Sequence, residues 1–141
     1  MISGILELHR LRGAQRFMSE LIRIGMAKRY SEAAVYNGVA YLAGQVPEET
    51  LEMDIDAQTR EVLDQIDRLL AHVNSDKSRI LMCQIYIADL ADFAGMNRVW
   101  DAWVSPGYAP PRATVEARLA NPAYRLEMVI TAAQRPSHHT P

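Results

Sequence analysis

Arg79-Ile80-Leu81-Met82-Cys83-Gln84-Ile85-Tyr86-Ile87-Ala88 is the stretch from which the fold can be read. It is almost wholly apolar, and it falls far short of the ~20 apolar residues that cross a bilayer. Such a run reads as a strand buried on both faces. Helical patterns flank it. Upstream, Asp54 stands at an N-cap position, and Ile55, Val62, Leu63, Ile66, Leu69, Leu70 and Val73 recur at three- and four-residue steps as one stripe. Arg60, Glu61, Asp64 and Arg68 take the other side, and Asn74-Ser75-Asp76 ends the helix. Downstream, Asp92 offers a second N-cap, with Phe93, Met96, Val99, Trp100, Trp103 and Val104 marking an inner face. An aromatic stripe at that spacing reads as core. The breaker Ser105-Pro106-Gly107-Tyr108-Ala109-Pro110-Pro111 follows.

Farther out lie strands. Ala33-Ala34-Val35-Tyr36 and Val39-Ala40-Tyr41-Leu42-Ala43 enclose Asn37-Gly38, the pair that accepts the two positive φ values of a type I′ hairpin turn. Two final strands read near 112–119 and 124–133, around Asn121-Pro122. The order is strand, strand, helix, strand, helix, strand, strand. That is an α+β domain with two helices packed on one face of a mixed β-sheet.

The last two strands carry the most chemistry. Ala113, Val115, Ala117 and Leu119 alternate with Arg112, Thr114, Glu116 and Arg118; Tyr124, Leu126, Met128 and Ile130 alternate with Arg125, Glu127, Val129 and Thr131. With the apolar sets toward the helices, Arg112, Thr114, Glu116, Arg125 and Glu127 share the other face. Paired as a hairpin, the strands prefer opposite charges across from each other. Glu116 then faces Arg125, Thr114 faces Glu127 and Arg112 faces Val129. That register groups an arginine, a hydroxyl and a carboxylate in one patch, which reads either as a site or as ordinary surface ion pairing.

Composition excludes several classes. The 141 residues match one ordinary domain, and 49% hydrophobic with 23% charged residues is a globular balance rather than a disordered one. A net charge of −2 gives no electrostatic case for nucleic acid or an anionic membrane. Cys83 is the sole cysteine, which excludes an intrachain disulfide and a Cys-based zinc site. His9, His72, His138 and His139 have no metal-ligand spacing, so no catalytic metal is expected. Residues 1–21 form a loosely amphipathic basic extension containing Ile5, Leu8, Arg10, Arg12, Arg16 and Phe17, the pattern running on into Ile22. It lacks a long apolar block, and Glu7 and Glu20 speak against a transit peptide. Met18 reads as the natural start, and the cytoplasm as the expected compartment. Residues 22–134 are then one domain and 135–141 a flexible tail.

Four blocks in order resemble the YjgF/RidA (L-PSP) family: Ala43-Gly44-Gln45-Val46-Pro47, Asp56-Ala57-Gln58-Thr59-Arg60, Ala88-Asp89-Leu90-Ala91-Asp92-Phe93-Ala94-Gly95-Met96-Asn97, and Pro111-Arg112-Ala113-Thr114-Val115-Glu116. The resemblance covers roughly residues 22–134. The compressed loop from Gln45 to Asp54 and the Trp100-Asp101-Ala102-Trp103 helix are similar to a shorter-loop branch. It implies a chorismate-mutase-like fold, a homotrimer with ligand clefts between subunits, and cofactor-free hydrolysis of 2-imino acids to 2-keto acids and ammonia. By the same resemblance, Arg112 matches the arginine that holds the substrate carboxylate and Glu127 the glutamate that positions water. Tyr30 and Asn97 match cleft residues, and Gly44 the glycine whose backbone faces the ligand. Ala43 stands where the family has serine, and Thr114 where it has a cysteine whose backbone meets the ligand. Three readings follow: a hydrolytic deaminase, a non-catalytic trimeric binder of small acids, and an L-PSP-type endoribonuclease. The acidic balance and the lack of a basic-aromatic surface pattern disfavour the last.

Overall fold

The apolar steps after Asp54 fold as α1 (Ile55–His72). Its N-cap is as read: Asp54 Oδ1 accepts from Ala57 N at 3.0 Å. Asn74 adopts a left-handed φ of 57° just past the end, and buried Ser75 donates to Ala133 O at 2.6 Å. The computed structural model describes residues 20–136, so the readings of residues 1–17, Met18 and the tail histidines lie outside the described residues.

Six strands make one sheet: β1 (Ile22–Met26), β2 (Ser31–Tyr36), β3 (Val39–Leu42), β4 (Ile80–Ile87), β5 (Arg112–Glu116) and β6 (Leu126–Ala133). Their order across the sheet is β1-β2-β3-β6-β4-β5. The second helix is α2 (Phe93–Trp103). The Asn37-Gly38 turn has φ values of 51° and 76°, as the hairpin reading requires. Both helices cover the same face, over a core that includes Val62, Leu63, Ile66, Leu70, Met96, Ile85, Met128 and Ile130. Each large side chain taken out of water there stabilises the fold by about 1.5–3 kcal/mol.

Five expectations are corrected. A strand, β1, pairs with β2 where the basic extension was read to run on; Ile22, Ile24 and Met26 alternate, but five residues are too few to stand out from a helical pattern. The last two strands do not form a hairpin. β5 pairs in parallel with β4, β6 pairs antiparallel with β4 on its other side, and so β4 separates them. The β4–α2–β5 segment is a crossover unit, whose packing outweighs the 0.2–1 kcal/mol or so that a cross-strand charge pair offers. Thus Arg112, Thr114 and Glu116 lie beside Cys83, Ile85 and Ile87, on the helix face. Strand β4 is buried on one face only: Cys83, Ile85 and Ile87 are inaccessible, whereas Leu81 and Met82 are exposed and Gln84 and Tyr86 half-buried. Asp92 precedes α2 without capping it, because its carboxylate takes Arg125 Nη1 at 3.0 Å. Phe93, the first residue of α2, stays exposed instead of joining the inner face.

No described residue covers the face away from the helices, which is largely apolar across β3, β4 and β5. Tyr41 and Met82 both flank Thr131 there, and Val115 flanks Tyr86. Tyr41 is 52% and Val115 45% exposed.

Candidate functional site

Arg112 opens β5 at the sheet edge. The hydrogen bond from Cys83 N to Pro111 O, 3.0 Å, starts that strand. From α2, two residues one turn apart reach its guanidinium. Asn97 Oδ1 accepts from Nη2 at 2.9 Å, and the Trp100 ring lies beneath the group, 5.0 Å from its centroid. Nη1 is shut off from solvent and has no hydrogen-bond partner among the described residues. A buried donor in that state costs about 1–3 kcal/mol, which an acidic ligand reaching it would recover. Thr114 stands two residues along the same strand, half-buried. Burial pushes the adjacent Cys83 thiol up to about 12, although Arg112 pulls it the other way. That is the wrong direction for a thiolate nucleophile.

Glu127 sits elsewhere. Its register partner is Tyr86, on the face opposite Arg112. Gly44 follows β3, where Gln45 and Met128 exchange backbone hydrogen bonds of 2.8 and 3.0 Å. This clamp brings the Glu127 carboxylate against Gly44 so closely that a Cβ there would lie 2.9 Å from Oε2. Tyr30 is exposed in the turn between β1 and β2, at the far edge of the sheet and roughly 20 Å from β5 at ordinary strand spacing. Arg112 and Glu127 are two strands apart, and their β4 partners Cys83 and Tyr86 are three residues apart. The two Cα atoms are therefore separated by roughly 14 Å, with side chains on opposite faces. The single patch expected from the sequence does not exist in one chain. Arg125 turns instead to Asp92, and Glu116 Oε1 accepts from Leu90 N at 3.1 Å. The structure brings together Arg112, Asn97 and Thr114 as one group, and Gly44 and Glu127 as a second.

Two residues that sequence reasoning did not single out hold the segments around the second group. Glu61 accepts from Glu48 N, Glu49 N, Thr50 N and the Thr50 hydroxyl, the last at 2.6 Å. Burial pushes its carboxyl up, but the Thr50 hydroxyl and the three backbone donors more than offset this and hold it below the usual glutamate value. One turn earlier, buried Gln58 donates to Thr50 O and Ala123 O and accepts from Arg125 N. A third residue, Trp100, was read as core only; its place one turn beyond Asn97 was the available signal. Two open grooves of about 440 and 750 Å³ meet at Ala88, Pro122 and Tyr124, and neither includes Arg112 or Glu127. Among the described residues, no group of three or more His, Cys, Asp or Glu could hold a metal ion, and no helix is long and apolar enough to cross a membrane.

The profile of the Endoribonuclease L-PSP family matches residues 21–134. The chain belongs to the L-PSP (YjgF/RidA) family. A RutC family protein of Haemophilus ducreyi is 56% identical over 113 residues, 80% of this chain and 96% of that one. The RutC family protein YoaB of Escherichia coli is 46% identical over 113 residues, 80% of this chain and 97% of the relative. A crystal structure of a YjgF family member from Neisseria meningitidis superposes with a TM-score of 0.82 at 48% identity, covering 85% of this chain and 99% of that one. The α+β architecture with two helices on one sheet face is that of these L-PSP relatives.

Proposed function

We propose that this L-PSP family member hydrolyses reactive 2-imino and enamine acids to 2-keto acids and ammonia. Arg112 holds the carboxylate and Glu127 positions the water. The observation that carries the reading is the Arg112 guanidinium, held by Asn97 and Trp100 with Nη1 unpartnered among the described residues. A planar guanidinium offers a carboxylate two parallel bonds, which sets orientation as well as charge. The protonated imine is electrophilic at carbon. Water oxygen adds there while a water proton passes to Glu127; that proton then goes to nitrogen, and as the C–N bond breaks and ammonia leaves, the hydroxyl proton returns to the Glu127 carboxylate and the carbonyl forms. Holding imine and water together removes much of the entropic barrier.

The separation of Arg112 from Glu127 means that this reading needs two copies of the chain. In the homotrimer we propose, one copy supplies Arg112, Asn97 and Thr114, and its neighbour supplies Gly44, Glu127 and Tyr30. The largely apolar sheet face, uncovered by any described residue, supports such an assembly.

Imines generated in situ by an amino-acid oxidase provide the assay. Arg112→Lys keeps the charge but not the fork, and should lose about one to two decades of kcat/KM. Glu127→Gln should lower kcat more than it weakens pyruvate binding. Full activity in both variants rejects the site. A second reading, a small-acid binding protein without turnover, draws support from Ala43, which offers no hydroxyl to the ligand. Wild-type binding of pyruvate with no turnover would establish it. Cleavage of single-stranded RNA in the absence of both would point instead to the endoribonuclease activity in the family's name.

A further inference from the structure

The guanidinium of Arg112 is held on one edge by a single hydrogen bond to Asn97 and on one face by Trp100. Trp100 is 5% exposed and does not stand alone. Its ring meets Trp103 at 5.3 Å, tilted by 50°. Trp103 Nε1 donates to Asp67 Oδ2 on α1 at 2.9 Å. Lys77 Nζ lies 5.3 Å from the Trp103 ring and donates to Trp103 O at 2.6 Å. The indole beneath Arg112 is thus fixed from behind by groups on α1 and on the turn before β4.

We propose that Trp100 is a positioning residue for carboxylate binding: it sets the plane of the Arg112 guanidinium and keeps water from its face. The inference rests on the reading of Arg112 as the carboxylate anchor. One hydrogen bond leaves a guanidinium free to swing about that bond, whereas a ring beneath it, 5.0 Å from Cζ to centroid, blocks that swing on one side. A cation over an indole is attracted by the ring's negative face, and the attraction grows where water is excluded. The same exclusion strengthens any ion pair formed on the guanidinium's free edge. A phenyl ring offers a weaker face, and an aliphatic side chain offers none.

The test compares wild type, Trp100→Phe, Trp100→Leu and Arg112→Lys, using pyruvate as the probe in calorimetry and the oxidase-coupled imine assay for KM and kcat. Trp100→Leu should weaken pyruvate binding about tenfold and raise KM in step, with kcat within twofold; Trp100→Phe should cost about threefold. The Nε–H resonance of Arg112 in the free protein should lose its ring-current shift in the leucine variant and keep part of it in the phenylalanine variant. A purely structural Trp100 would lower the thermal midpoint and leave KM and pyruvate affinity alone at low temperature, which would overturn the inference. If the leucine variant does not fold, unchanged pyruvate affinity in Trp100→Phe overturns it equally. Weakened binding in Arg112→Lys beside unchanged binding in both Trp100 variants refutes this inference only. Unchanged binding in Arg112→Lys refutes the carboxylate anchor, and the inference with it.

Discussion

A methyl group added at Gly44 would meet the Glu127 carboxylate at 2.9 Å, and the atom it meets is the free end of a flexible side chain. The backbone at Gly44 has no positive φ to forbid a side chain. Gly44→Ala should therefore leave stability within about 0.5 kcal/mol of wild type, while it pushes Glu127 aside and lowers kcat. Denaturant unfolding alongside the imine assay checks both halves; a large loss of stability with normal kcat would contradict the placement. Cys83 offers a second residue-scale test. With its thiol pushed up to about 12 and its surface inaccessible, it should not react with a thiol reagent at pH 8 until denaturant exposes it. The two residues most exposed to misreading were Arg112 and Glu127. Both stood out as candidates, from the polar alternation of their strands and from the family resemblance, but their relative placement was not legible. Alternation fixes which residues share a face within a strand; it cannot say which strand lies beside which.

At the scale of elements, α1 was read correctly because its cap, stripe and stop are local signals, and so was the hairpin at Asn37-Gly38. β5 and β6 were read as strands but paired wrongly, because their partner, β4, comes from a distant part of the chain and the charge pattern suggested a simpler hairpin. The loop after Gly44 is governed by α1. The Glu61 carboxylate gathers the N–H groups of Glu48, Glu49 and Thr50, and its lowered pKa carries a sign. A group whose folded pKa is depressed contributes stability in full above its ordinary value of about 4.3, and that contribution is lost as pH falls through the lowered folded value. Glu61→Gln, which cannot titrate, should be less stable than wild type at pH 7 and should flatten the acid limb of the stability curve below about pH 4.3. Thermal midpoints from pH 7 to pH 3 test this; parallel curves for the two proteins would show that the loop does not depend on this charge.

At the scale of the whole molecule, the proposed trimer divides the site between copies. Neither Arg112→Lys nor Glu127→Gln homotrimers would contain a complete cleft. In trimers refolded from an equal mixture, about a quarter of the interfaces would pair a native Arg112 with a native Glu127, so about a quarter of wild-type turnover should return. No recovery from a mixture that light scattering shows to be trimeric would show that Arg112 and Glu127 do not act together in one cleft. The topology also has a kinetic side. β6 lies between β3 and β4 at the middle of the sheet, yet it is made after the other five strands. Until it emerges, the β1–β3 unit and the β4–β5 unit have no strand to join them, and the facing edges of β3 and β4 are open to any extended chain nearby. Synthesis thus passes through a stage in which two half-sheets await their keystone. Polypeptides stalled just before Leu126 should be captured by chaperones and lost to aggregation far more than those stalled beyond Ala133.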